Sequence, residues 1–123
     1  TRSTSTLVTG LTAGIMSWFS STSGVVMPTL IPTVPDLISS VGGGVEPLTL
    51  ISAITNSSHA AASSPLSTGG ALAFAAYMAQ AKASPGDQQK LFIRMFLVSA
   101  VGVAFVSILG GLGLYDFIAG LVK

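Results

Sequence analysis

Nine charged side chains in 123 residues, five basic and four acidic, constrain this chain more than any motif in it. They leave three charge-free tracts, Ser3–Pro35, Pro47–Ala81 and Met95–Tyr115. Each reaches or exceeds the roughly 20 residues that an α-helix needs to cross a bilayer core. Charged residues make up 7% of the chain and hydrophobic residues 50%, with a mean hydropathy of +0.77. Little remains to solvate a water-facing surface, and the pattern predicts an all-α integral membrane protein. A net charge of +1 on scattered basic residues speaks against a nucleic-acid partner. The absence of cysteine rules out disulfide frameworks and thiolate chemistry. No cleavable signal is visible after Thr1, and the chain reads as a fragment or processed product of something longer.

Punctuation divides the tracts further. In the first, the apolar run Leu7–Phe19 stops at Ser20-Ser21-Thr22-Ser23-Gly24, and Val25–Val34 resumes with Pro28 and Pro32. Two halves too short to span alone predict a re-entrant helical hairpin over residues 1–36. Residues 37–46, with the glycine run Gly42-Gly43-Gly44, form an extracytoplasmic loop. The second tract, 47–81, holds Ser64-Pro65-Leu66-Ser67-Thr68-Gly69-Gly70 near its middle. A proline, a glycine pair and a hydroxyl cluster break a helix, so this stretch predicts a discontinuous transmembrane helix. Residues 82–90 read as a cytoplasmic loop, because Lys82, Lys90 and Arg94 gather around it. Residues 91–123 then form the terminal transmembrane helix, with Arg94 snorkelling at its cytoplasmic end and Tyr115 at the interface.

The two breaks carry the candidate chemistry. Hydroxyls at 20–23 and 63–68, together with amides at Gly24 and Gly69-Gly70, supply hydrogen-bond donors that can replace the water shell of a small carboxylate. The substrate-binding candidates are Ser20, Ser21, Thr22, Ser67 and Thr68. Unwound carbonyls and hydroxyls also suit a sodium ion, with Thr22, Gly24, Ser64, Thr68 and Asn56 as candidate ligands. Serine and threonine in helices equally bond back to the preceding turn, and for any single hydroxyl that reading competes.

The order of hairpin, broken helix and terminal helix resembles the carboxy-terminal part of a carrier of the ion-transporter superfamily. That group includes divalent anion:sodium symporters and malonate and dicarboxylate carriers. Ser20-Ser21-Thr22 stands where the family has a Ser-Asn-Thr tip, and Ser64-Pro65-Leu66-Ser67 where it has a Thr-Pro-Pro-Asn-like break. The run Gly24-Val25-Val26-Met27-Pro28 looks most like the malonate or C4-dicarboxylate branch. The resemblance implies the second half of an inverted-repeat transporter in a bacterial inner membrane. Its function would be secondary active transport, a symport of a small organic anion, a dicarboxylate, coupled to a sodium or proton gradient. Its implied partners are the lipid bilayer, the missing amino-terminal repeat and a second copy in a homodimer. No cofactor is implied beyond a sodium ion.

His59 is the one histidine. It reads either as a proton relay or as a side chain tied to a neighbouring helix. Asn56 offers an amide to a ligand or joins helices, Asp36 and Glu46 read as solvated loop charges, and Trp18 as packing around the cavity. No catalytic triad, phosphate loop or metal cluster can be assembled from these residues, so the chain does not read as an enzyme. A small oligomeric channel or a structural membrane subunit is the alternative reading. Either favours polar residues repeating along a helix face over polar residues clustered at two breaks.

Overall fold

A computed structural model describes every residue except Ala83 and Lys123. The chain is helical throughout: α1 (Arg2–Trp18), α2 (Met27–Leu30), α3 (Val34–Ser40), α4 (Pro47–Ala61), α5 (Thr68–Ala81), α6 (Pro85–Gly111) and α7 (Leu114–Leu121). A π-helical turn, Thr22–Val26, leads into α2, and a 3-10 turn, Ile31–Thr33, leads out of it. Proline explains that sequence of helix types. Pro28, Pro32 and Pro35 lack the N–H that would close the i→i−4 bond, so the ladder widens before the first and tightens around the second without ending.

The bundle is assembled on small residues of α1. Gly10, Ala13, Gly14 and Ser17 are buried, and a Cβ built on Gly14 would lie 2.4 Å from Val103 Cγ1 of α6. One on Gly10 would lie 3.0 Å from Ser57 Oγ of α4 and 3.1 Å from Ser107 Oγ of α6. Glycine at these positions lets three helices meet. Pairs of contacts then fix direction. Trp18 Nε1 donates to Ser99 Oγ at 2.9 Å near one end of α1, while Gly10 faces Ser107 further back, so α6 runs antiparallel to α1. Arg2 and Thr49 both reach Asp116 at the other end, the former at 3.5 Å and the latter at 2.8 Å. Helices α1 and α4 are therefore parallel, and residues 19–46 return the chain to the end where it started.

That return segment covers the apolar core, in which Ala13, Val26, Val34, Val45, Leu50 and Ile54 are buried together. The opposite seam is hydroxylic: Ser57 Oγ pairs with Ser107 Oγ at 3.1 Å, and Ser99 Oγ donates to the Ala61 carbonyl at 3.2 Å. Helix α5 packs mainly on α6, and Gly70 is its one buried residue. Helix α6 leaves Leu97, Val101 and Phe105 exposed.

Helix lengths correct the expectation of an integral membrane fold with several spans. The charge-free tract 47–81 is two helices of 15 and 14 residues, broken at the stretch where the sequence places the break, and neither reaches the roughly 30 Å of a hydrocarbon core by itself. The terminal segment is not one helix either, because the chain turns at Gly113, φ +93°, into α7. Among the described residues, Pro85–Gly111 is the one helix long and apolar enough to cross a membrane. The re-entrant hairpin is likewise replaced, since its first arm is the central helix of a compact bundle. The bilayer, the inner-membrane location, the homodimer and the missing repeat lose their basis with the spans, because among the described residues a single helix of spanning length remains. Secondary transport of a dicarboxylate needs several crossing helices, and the channel and membrane-subunit alternatives are read from the same set of spans. Those assignments are withdrawn on the same ground.

Candidate functional site

The carboxy-terminal ends of the parallel helices α1 and α4 lie side by side, and the turn after each faces the other. Ser20 Oγ donates to the Met16 carbonyl at 2.8 Å and closes α1. Ser21 Oγ accepts from Gly24 N at 3.1 Å and caps the helical turn that follows, so the chain is interrupted only briefly. Thr22 Oγ1 donates to the Ser58 carbonyl at 3.0 Å and pins this turn to α4.

Hydroxyls also build the turn after α4. Ser67 Oγ lies 2.8 Å from both the Ala62 and Ser64 carbonyls and accepts from Gly70 N at 3.1 Å, which makes it the N-cap of α5. Ser64 Oγ accepts from Leu66 N at 3.2 Å and reaches back to the Trp18 carbonyl at 3.5 Å. Gly70 is obligatory here, because a Cβ on it would lie 1.8 Å from the Ser64 carbonyl oxygen.

Between the two turns lies a cleft of about 300 Å³. Ser20, Ser21, Thr22 and Ser23 line one wall, Ser67, Thr68 and Gly69 the other, and His59 with Ala62 forms the side between them. No known protein family, curated protein or solved structure matches the chain.

All five substrate-binding candidates, Ser20, Ser21, Thr22, Ser67 and Thr68, therefore lie around one cavity. The ion-binding set is divided. Thr22 and Thr68 line the cleft, Gly24 has its amide engaged by Ser21, and Ser64 is buried in the turn with its hydroxyl turned to backbone. Asn56 lies apart, with its side chain beside the Tyr115 hydroxyl on α7. These five residues do not converge on one position.

Hydrogen bonding decides what the cleft still offers. The hydroxyl protons of Ser20, Thr22 and Ser67 are directed to carbonyls, whereas among the described residues the hydroxyls of Ser23 and Thr68 have no partner. The amides of Thr68 and Gly69 precede the first backbone bond of α5, from Ala71 N to the Ser67 carbonyl, and Gly70 N is already capped. Donors therefore remain at Ser23, Thr68 and the first two amides of α5, beside hydroxyl oxygens that can still accept. The amides stand at the positive end of a 14-residue helix.

Behind this wall Ser58 Oγ is the one buried side-chain polar atom without a partner among the described residues. Trp18, whose ring centroid lies 5.2 Å from that of Phe96, packs behind the turn rather than lining the cleft. Ser23 and His59 also belong to the cleft; the sequence singles both out, Ser23 within the hydroxyl run 20–23 and His59 as a candidate proton relay, without placing either among the substrate- or ion-binding candidates. Their signal was present, Ser23 as the end of a hydroxyl run and His59 as the one imidazole in an uncharged tract.

Proposed function

We propose that this chain is a binding module whose cleft, between residues 20–23 and the start of α5, receives a small molecule presenting hydrogen-bond acceptor oxygens. The observation that carries this reading is the convergence of six hydroxyls, those of Ser20–Ser23, Ser67 and Thr68, from turns more than 40 residues apart. Isolated serines closing helix ends need no common cavity. The two free hydroxyls and the two uncapped amides supply donors at the first turn of α5, where backbone N–H groups favour acceptors and partial negative charge. About 300 Å³ is the lower limit of ordinary ligand cavities, so the ligand is compact.

The test is a two-dimensional amide NMR titration with sulfate and, as a neutral acceptor, acetamide. Saturable shifts confined to residues 20–23, 59 and 67–70 are expected with at least one of them. Replacing Ser23 and Thr68 by alanine removes two donors and weakens binding by about 1 kcal/mol for each. Shifts that stay linear, or that spread evenly over the surface, overturn the reading.

A further inference from the structure

The cleft contains one side chain able to change charge, and the hydrogen bond it makes within its own helix fixes which of its atoms is free to do so. His59 Nδ1 lies 2.8 Å from the Thr55 carbonyl oxygen, one turn earlier in α4. A carbonyl oxygen only accepts, so Nδ1 carries the hydrogen and the neutral ring keeps its lone pair on Nε2. Protonation therefore takes place at Nε2. His59 lines the cleft; its neutral ring carries an acceptor and no charge, whereas the imidazolium carries a second N–H donor and a positive charge.

We infer that His59 determines the charge class of ligand the cleft accepts, holding oxyanions in its protonated form and losing that preference when neutral. The inference rests on the binding role proposed above. Neither segment sharing the cleft with His59, residues 20–23 or 67–69, carries a titratable side chain. On α6, Arg94 lines the adjoining cavity on the other side of Ala62 and Gly69. The Arg2–Asp116 pair meets α4 at Thr49, ten residues from His59 and so about 15 Å along the helix. The formal charge of the cleft wall thus changes from zero to one on a single protonation. The test therefore compares pH 5.5 with pH 8.

Sulfate suits the test because it keeps its charge throughout that interval. Its affinity is measured by amide NMR at pH 8 and pH 5.5 and constant ionic strength, for the parent chain and for His59→Gln, with circular dichroism to confirm that the exposed substitution leaves the helices intact. Binding should tighten about tenfold at the lower pH, the effect of one added charge at contact range in a partly exposed site, and His59→Gln should abolish the change. Acetamide affinity should vary far less with pH. Nitrogen chemical shifts of the ring should identify the Nδ1–H tautomer at pH 8. Equal sulfate affinity at the two pH values, a pH profile that survives in His59→Gln, or the opposite tautomer overturns the assignment to His59 while leaving the binding role standing. Absence of saturable binding of either probe at either pH overturns both.

Discussion

Tyr115 shows how one side chain makes a bundle sensitive to alkali. Its ring packs over Gly110, where a Cβ would lie 2.6 Å from the ring, and its hydroxyl donates to the Val106 carbonyl at 2.9 Å. Burial raises the phenol above its ordinary value of 10.0, with the hydrogen bond to Asn56 acting in the opposite direction. The folded state therefore holds the proton more tightly than the unfolded chain does. That contribution is complete below pH 10 and is lost as pH rises through the folded value. Tyr115→Phe should cost about 1 kcal/mol at pH 7 through the lost hydrogen bond, yet flatten the alkaline limb of stability in urea titrations. A limb of unchanged steepness would assign the alkaline sensitivity to other groups. Nothing in the sequence announced this, because the tyrosine was placed by hydropathy and its partners are a backbone carbonyl and an amide on another helix. The serines at the two turns were more legible, since a hydroxyl run beside proline or glycine is local helix-ending chemistry.

Among the elements, the connection between α4 and α5 is the one most tightly specified by its residues. Gly69 and Gly70 are adjacent, yet their surroundings differ. A Cβ on Gly69 would meet only the Ala62 carbonyl, at 3.8 Å, whereas on Gly70 it would enter the Ser64 carbonyl. Gly70→Ala should therefore destabilise by about 3 kcal/mol or more through forced movement of the turn. Gly69→Ala should be neutral or stabilise by up to about 1 kcal/mol from helix propensity. Thermal unfolding of the two variants checks the contrast, and equal melting points would mean that the turn adapts. The same connection interrupts the charge-free tract without a charge to mark it. Absence of charge says how apolar a segment is, not where its helix stops, and serine hydroxyls satisfy the freed carbonyls and amides without introducing a charge. Pro28, Pro32 and Pro35, spaced four and three residues apart, do not interrupt the stretch after Gly24, because one π-helical and one 3-10 turn absorb them.

For the molecule as a whole, the fold follows from the small residues of α1 and from a return segment that makes α1 and α4 parallel. That arrangement brings residues 20–23 and 67–69 together, although no local pattern states which helices neighbour each other. Asn56, which reads from sequence either as a ligand amide or as a group joining helices, lies beside Tyr115 of α7. Helix α5 stands apart from this assembly, with α6 as its support and Gly70 as its only buried residue. Its opening therefore does not require the rest of the molecule to open. Amide protons of Leu72–Ala81 should exchange with deuterium orders of magnitude faster than those of Gly10–Ser17 or Ala53–Ala61, as a separate cooperative unit of low local stability. Uniform protection across all three helices would refute that division. Because α5 contributes one wall of the cleft, an occupant there would slow exchange in a helix whose far end it never touches, turning a loosely held segment into a reporter of occupancy.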